Sequence, residues 1–310
     1  MSRHPPPDSD GTTPSIVATG FTTAFLGDER LLREFVVGDD VMRTVMATGR
    51  HSLLYLFNDS YDPLRIRQLR IGVGKNDALL ATFEKYCGRP IAEIPDPFDC
   101  HASYAEHFAQ ALATRLHALD IHPMLVDAHQ AYRTGFYNAV IATTFANYAR
   151  IQTMLATNFT HYNNRDLFRA RCRRCLCIDA TTITDVRGRD IRVACARCGA
   201  DTLEGIEDMQ GKLSWKLNCA ARWNLYRIDS EVFAKSHASV LGTIAIAQFM
   251  SRTFYGGRMP RVVPYGDVTI SRELSNTLTA ILPPTLLKRL FTAHVCRDVV
   301  LNRLFSFPSG

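Results

Sequence analysis

Three short apolar runs, each breaking off into a polar turn, constrain this chain more than any other feature. Ile16-Val17-Ala18 gives way to Thr19-Gly20-Phe21-Thr22-Thr23, and Ser52 to Phe57 gives way to Asn58-Asp59-Ser60-Tyr61-Asp62. Met124 to Val126 gives way to Asp127 and His129. Near-continuous apolar runs suit parallel strands buried on both faces. Helical periods lie between and beyond them. From about Arg30, Leu31, Leu32, Phe35, Val36, Met42 and Val45 make one stripe; from Phe136 to about Leu155, Tyr137, Ile141, Phe145, Tyr148, Ile151 and Leu155 make another. Strands alternating with helices predict an α/β chain with a doubly wound parallel sheet, its ligands at the strands' C-terminal ends. A further strand is expected over Arg261 to Tyr265. A closing helix is expected after Pro283-Pro284, carrying Leu286, Leu287, Leu290, Phe291, Val295, Val299, Val300 and Leu304.

Composition narrows the class. A chain of 310 residues, 46% hydrophobic, can bury one large core or two smaller ones. Its net charge of +6 permits a nucleic-acid or nucleotide partner without demanding one. There is no run of eighteen apolar residues and no signal-peptide core, so a cytoplasmic protein without a membrane partner is expected. Residues 1–14 are Pro-, Asp-, Ser- and Thr-rich and read as a disordered lead-in. Nine cysteines in such a chain argue for metal ligands and buried thiols rather than disulfides.

Four of those cysteines form two knuckles, Cys172-Arg-Arg-Cys175 and Cys195-Ala-Arg-Cys198, around a β-rich stretch from Thr181 to Val193. The spacing fits a tetrahedral zinc ribbon, structural because four thiolates leave no open position. Cys177 is a bystander or a substitute ligand. Arg165, Arg169, Arg171, Arg173 and Arg174 surround the first knuckle, as a phosphate-contacting patch or a solvated basic loop.

The stretch Gly88 to Phe108 is punctuated by Pro90, Pro95 and Pro97, which keep its first half out of helix. Helix becomes possible from about Ala102, where Ala105, Phe108, Leu112, Leu116 and Leu119 recur at helical steps. Cys100, His101, Ser103, Glu106 and His107 thus crowd a loop-to-helix junction. On chemistry alone this is equally a stiffened loop capping a core helix.

As a whole string, Gly88 to Phe108 resembles the segment of class I lysyl-tRNA synthetases that leads into a Cys-His-Glu-Ser-Tyr-Ala-Glu-His-Phe helix, with Ala102 replacing the first Glu. Gly211 to Trp223 and Phe233 to His237 are similar to that family's Lys-Leu-x-Trp-x-Val-Asp-Trp-x-x-Arg-Trp and Gly-Lys-Asp-His segments. They keep Trp215, Arg222, Trp223, Lys235 and His237. Asn58 to Arg65 resembles Trp-Asp-Asp-Tyr-Asp-Arg-x-Arg, keeping Asp59, Tyr61, Asp62 and Arg65; Thr19 to Thr22 resembles Ser-Gly-Ile-Thr. The resemblance implies a Rossmann-type, HUP-like catalytic body with an inserted Cys₄ zinc ribbon and a C-terminal helical segment. The implied halves are residues 15–160 and 211–310 around a ribbon at 161–210, with no counterpart of the family's anticodon-binding domain. It further implies that Gly20, Thr22, Asp59, Asp62, His101, Glu106, Trp215, Asn218 and His237 bind the substrate. Trp223 reads as core.

Several positions depart from the family. Asn218 and Ser236 stand where it has Asp, Cys219 where it has Trp, and Ser60 where it has the second Asp. Lost carboxylates are groups that could pair with a lysine-like ammonium. The ATP-contacting His-x-Gly-His/Asn slot holds Asp28-Glu29-Arg30-Leu31, and the Lys-Met-Ser-Lys-Ser-like slot holds Ser271 to Asn276. Arg30 and Arg272 are the cations left near the phosphates, and Arg is a weak substitute for Lys there. The resemblance therefore implies a specialised ligase that activates or transfers a lysine-like or other amino acid. ATP or an aminoacyl-adenylate would be its ligand, and its acceptor a small molecule, a carrier protein or a tRNA acceptor stem. The alternative is a non-catalytic pseudo-synthetase holding an amino acid, adenylate or protein partner, and lysine–tRNA ligation stands third.

Overall fold

The computed structural model describes residues 13–160, 162, 166–238, 242–271, 275–277 and 281–301. In chain order, β1 (Ser15–Phe21) leads to α1 (Glu29–Met46), β2 (Ser52–Asn58), α2 (Ile66–Gly72), α3 (Asp77–Phe83), α4 (Tyr104–His117) and β3 (Met124–Asp127). Then follow α5 (Ala128–Arg133), α6 (Asn138–Ala146), α7 (Tyr148–Asn158), β4 (Phe168–Ala170), β5 (Thr181–Arg187), β6 (Asp190–Cys195), β7 (Asp201–Gly205) and β8 (Gly211–Leu213). The remainder is α8 (Trp215–Leu225), β9 (Ser230–Ala234), α9 (Thr243–Met250), β10 (Arg261–Tyr265), β11 (Val268–Thr269), α10 (Pro284–Thr292) and β12 (Val299–Val300).

Five of these strands form one parallel sheet, ordered β10-β9-β1-β2-β3. The chain runs outward from β1 through β2 to β3, then returns to the other side of β1 for β9 and β10. The order therefore reverses between β1 and β9, and their C-terminal ends flank the crevice where such sheets bind ligands. Alternation along β1 divides the core. Ile16 and Ala18 join the cluster under α6–α9, while Val17 faces Leu32, Phe35 and Val36 of α1. The doubly wound fold read from the apolar runs is the one observed.

Two elements differ from the sequence expectation. The helix expected from Phe136 to Leu155 is two helices, broken at Asn147 (φ −117°, ψ 18°), whose Nδ2 donates to the Thr143 carbonyl at 2.9 Å. Tyr148, Ile151 and Leu155 pack into the same core as Ile141 and Phe145, so the apolar period continues across the break. The closing helix stops at Thr292, and Val299-Val300 pair in parallel with Val268-Thr269 instead. Buried Arg33 of α1 fixes that turn by donating to the carbonyls of Gly266, Asp267, Phe291, His294 and Val295. β-branched valines suit the pairing. Leu304 and most of the 1–14 lead-in lie outside the described residues.

The cysteine-bearing stretch is a three-stranded antiparallel sheet, β5-β6-β7. Antiparallel β4 and β8 pair at its base, Phe168 opposite Leu213 and Ala170 opposite Gly211, and form a neck where the stretch leaves and rejoins the α/β body.

Candidate functional site

At the crevice, the Gly20 N–H donates to Glu34 Oε1 at 3.1 Å, and the Tyr265 hydroxyl donates to Glu34 Oε2 at 2.8 Å. Burial pushes the Glu34 carboxyl up to about 7, against those two hydrogen bonds. Thr22 Oγ1 donates to Asp62 Oδ2 at 2.7 Å, and Lys212 Nζ of the neck lies 2.6 Å from Asp62 Oδ1. Partial burial raises the Asp62 carboxyl, but Lys212 and the Thr22 hydrogen bond outweigh it and hold the group below its usual range.

Behind this pair sits a buried cation. Arg222 Nη1 is 3.6 Å from Asp59 Oδ1 and Nη2 is 3.5 Å from Glu231 Oε1; its guanidinium lies 4.7 Å from the Phe57 ring and 5.0 Å from the Trp215 ring. Burial lowers the Arg222 pKa, and Asp59, Cys219 and Glu231 together raise it further. Asp59 and Glu231 are both pushed up by burial, Glu231 to about 7, with Arg222 opposing. Fully buried Trp223 donates its ring N–H to Glu231, a core role. The structure thus gathers Gly20, Thr22, Asp59, Asp62, Trp215 and Asn218. It adds two organising cations that the sequence left unassigned, Arg222 and Lys212. Their signal was the stretch Gly211 to Trp223, which contains both.

His237 sits apart from those contacts. It follows β9 on a 3₁₀ turn and meets Thr243 Oγ1 through Nδ1 at 3.3 Å, its pKa lowered by burial and by Lys216. Neighbouring Lys235 is held by Asp298 at 2.5 Å.

His101 and Glu106 lie at the N-terminal end of α4, each with local contacts of its own. Ser103 caps α4 by accepting the Glu106 N–H at 3.2 Å, and Glu106 Oε2 accepts the N–H of Ala102, the residue before the cap, at 3.1 Å. His101 belongs to a donor cluster with Asp96, Cys100 and His107, whose ligand atoms all lie within 4.8 Å of one another and could hold a metal ion. Cys100 Sγ is 3.1 Å from His101 Nδ1 and 3.2 Å from His107 Nδ1, and His107 Nδ1 is 3.3 Å from Asp96 Oδ1. Asp96 is fixed by the N–H groups of Phe98, Cys100 and His101. One thiol, two imidazoles and a carboxylate are a donor set that zinc accepts. The sequence reading missed Asp96; Cys-His followed by a second His six residues on was the available signal.

In the ribbon, Cys172 Sγ lies 3.6 Å from Cys198 Sγ and Cys175 Sγ lies 3.6 Å from Cys195 Sγ. Thiolates tetrahedral about zinc at about 2.3 Å stand roughly 3.8 Å apart. The four sulfurs therefore fit a zinc ion, and Cys177 is outside the set. Of the arginines around the first knuckle, Arg173 pairs with Glu204 at 2.9 Å and Arg171 with Glu93 at 2.7 Å, and Arg174 donates to the Cys198 carbonyl at 3.3 Å. Arg165 lies outside the described residues.

The two slots that the resemblance assigns to ATP motifs meet each other. Asp28 caps α1 by accepting the Arg30 N–H at 3.0 Å, and its carboxylate also holds the Arg30 guanidinium at 2.7 Å. Ser275 Oγ donates to Asp28 Oδ2 at 2.8 Å, and the Asn276 N–H donates to Glu29 Oε2 at 2.8 Å. Arg115 bridges both sides, 3.4 Å from Glu29 Oε1 and 2.8 Å from Asn276 Oδ1. Arg30 therefore spends its charge on Asp28. Arg272 lies outside the described residues.

A family model described as tRNA synthetases class I (K) matches residues 7–284. A lysine–tRNA ligase of Methanosarcina barkeri (strain Fusaro) is 30% identical over 295 residues, covering 93% of this chain and 53% of that protein. Lysine–tRNA ligase 1 of Methanosarcina acetivorans is 29% identical, covering 83% of this chain and 47% of its own. A lysine–tRNA ligase of Archaeoglobus fulgidus is 30% identical, with 80% and 49% covered. The chain spans about half the length of the curated relatives it matches. No helix among the described residues is long and apolar enough to cross a membrane.

Proposed function

The chain belongs to the class I (K) tRNA synthetase family, and from that premise we propose that it is an amino-acid-binding member whose ATP end is shut. It holds an amino acid or aminoacyl-adenylate beside Gly20, Thr22, Asp59 and Trp215 without adenylating lysine at a synthetase's pace. One observation carries this reading. Ser275 and Asn276 donate to Asp28 and Glu29, joining the two slots to which the resemblance assigns the family's ATP motifs. Two carboxylates there oppose phosphate charge. Adenylation needs preorganised donors aimed at the α-phosphate, each worth about 2.7–4 kcal/mol when removed singly. The zinc ribbon, joined through its neck between residues 15–160 and 211–310, serves as a structural metal module.

A second reading keeps catalysis: an ATP-dependent ligase passing a lysine-like or other amino acid to a small molecule, carrier protein or tRNA acceptor stem. The polar group gathered at the crevice favours it. Lysine–tRNA ligation, the activity in the relatives' names, is third.

The test pairs pyrophosphate exchange over all twenty amino acids with thermal shift using amino acids and their sulfamoyl-adenosine analogues. A shift without exchange is the expected result. Brisk exchange with any amino acid overturns the closed-site reading and moves the assignment to the ligase. Absence of any shift removes the amino-acid site.

A further inference from the structure

A cavity of about 610 Å³ opens at the N-terminal ends of β1, β2, β9 and β10, the opposite end of the strands from the crevice. Its size falls within the roughly 300–1,000 Å³ of small-molecule sites. Arg50, Arg227 and Arg258 line it, with the half-buried rings of Tyr55 and Tyr226. Asp229 is the one acid in that lining, and it is already engaged. Its Oδ2 accepts the Ile16 N–H at 2.9 Å, and its Oδ1 accepts from Arg258 Nη2. Arg258 is further fixed by Nε, which donates to the Ile228 carbonyl at 2.9 Å, so Nη1 is the edge left without a partner among the described residues. Arg50 and Arg227 are exposed and pair with no acid among the described residues. Three guanidiniums thus face one carboxylate, an excess of two positive charges in one concave place.

The backbone at Arg227 is a second, independent mark. Helix α8 closes with the Ile228 N–H donating to the Trp223 carbonyl at 3.1 Å, the outer bond of a Schellman turn. Such a turn places the residue just past the helix in the left-handed region, where glycine is usual. Here that residue is Arg227, at φ 53°. A cation at a helix C-terminus does meet the negative end of the dipole. An arginine one turn earlier would do so on relaxed helical backbone. Strained backbone gathers at positions that hold ligands, and Arg227 is an exposed side chain on the wall of this cavity.

We propose that this cavity is a second ligand site, separate from the crevice, and that it takes a small molecule carrying a phosphate monoester on a flat, apolar body. Arg50, Arg227 and the free edge of Arg258 hold the phosphate. A phosphate monoester carries about −1.5 to −2 charges at neutral pH, which matches the excess on the walls. Guanidinium forks grip phosphate oxygens in pairs, and a carboxylate would answer only part of the charge. The cavity is far larger than a bare phosphate, and Tyr55 and Tyr226, edge-to-face with centroids 6.4 Å apart, give the organic body an aromatic wall.

The full chain is titrated by calorimetry and thermal shift with phenyl phosphate, inorganic phosphate and benzoate. Phenyl phosphate is expected to bind at least roughly tenfold tighter than benzoate, the factor of one further charge-assisted hydrogen bond. Inorganic phosphate should fall between them, since it leaves the tyrosine wall uncovered. Arg227→Gly separates a ligand role from a structural one. Glycine relaxes the left-handed backbone, so the unliganded variant should melt no lower than the parent while binding phenyl phosphate about tenfold more weakly. Arg50→Ala should weaken binding similarly at an unchanged melting temperature. Phenyl phosphate and benzoate binding equally, or unchanged phenyl phosphate affinity in both variants, overturns the proposal. Binding that appears only when Asp8→Asn and Asp10→Asn are made together would give the cavity to the chain's own first residues and overturn it as well. No binding by any probe removes the site and leaves the reading of the crevice untouched.

Discussion

Glu29 Oε2 accepts the backbone N–H of Asn276 at 2.8 Å, joining residues 247 positions apart in the chain. The carboxylate is fully buried and also faces Arg115. An acidic group in the first turn of a helix is stabilised by the helix dipole, and here that favourable place is taken by the protein's own side chain. Asn276 adopts a left-handed conformation, φ 66°, to aim its N–H at it. The N-terminus of α1 is therefore already supplied with anions.

Glu29→Ala should cost about 1–3 kcal/mol of unfolding free energy, because it strands a buried N–H and removes a partner of Arg115. Asp28→Ala should cost about 1 kcal/mol as a lost cap. Urea denaturation of each variant measures both. Neither should gain lysine-dependent pyrophosphate exchange. A neutral Glu29→Ala would mean that the contact with Asn276 contributes nothing.

The ribbon should contain zinc on Cys172, Cys175, Cys195 and Cys198. Metal binding at such sites contributes apparent free energies of about 10–16 kcal/mol to local folding. Cys175→Ser is expected to raise amide exchange in β5, β6 and β7 while the five-stranded sheet keeps its protection. Zinc-free purified protein with freely reactive thiols at these positions would refute the assignment.

The Asp96–Cys100–His101–His107 cluster predicts a second equivalent of bound metal. Elemental analysis should give about two ions per chain if both donor sets of the zinc type are filled. His101→Ala with His107→Ala should remove one of them and leave the ribbon's amide protection unchanged. A stoichiometry of one that this double variant does not alter would limit the cluster to a hydrogen-bonded turn.

What the sequence showed and hid follows from the range of each signal. Strands β1, β2 and β3 were legible because double-sided burial leaves uninterrupted apolar runs such as Leu53 to Phe57. The break at Asn147 was not, because the apolar period of α6 continues in register through α7. Val299 and Val300 fell on a helical stripe by spacing alone, and only Arg33's capture of the carbonyls at 291–295 shows why the helix stops. Asp96 drew no reading between its two prolines, since its three backbone donors come from residues that turn back on it. Glu29 was placed in the slot of an ATP-contacting motif, and its contact with a partner 247 positions away left no trace in the sequence. Contacts between distant segments leave no local pattern.

Glu34 gives a pH dependence whose sign can be stated. Its folded value of about 7 lies above the unfolded carboxyl value of 4.5, so between these pH values the folded chain binds more protons than the unfolded one. Its stabilising contribution is complete below about pH 4.5 and is lost as pH rises through about 7. Glu231, also at about 7, acts in the same direction. Depressed carboxyls such as Asp62 act below their unfolded value of 3.8, outside this window. The melting temperature should therefore fall between pH 5 and pH 8. Glu34→Gln, a neutral mimic of the protonated acid, should match the parent at pH 5 and exceed it at pH 8. Parallel curves for parent and variant would show that Glu34 is ionised at both.

Arg222 is the residue whose loss should be felt most. It is 1% exposed, sits near the rings of Phe57 and Trp215, and faces two buried carboxyls, Asp59 and Glu231. Arg222→Met keeps much of the volume but strands both acids, and breaking a buried pair by removing one partner costs about 3–5 kcal/mol. Arg222→Lys should rescue only part of this, since an ammonium cannot lie flat between two rings or reach both acids. The cost should also depend on pH. Without the guanidinium, Asp59 and Glu231 lose the charge that lowers them, so their folded values rise further above the unfolded ones. Stability held by a raised group is lost as pH increases, so the deficit of Arg222→Met should be small near pH 5 and large at pH 8. Urea denaturation at the two pH values checks this. Equal deficits would show that Arg222 acts through packing alone, and the electrostatic account of the crevice would then have to be abandoned.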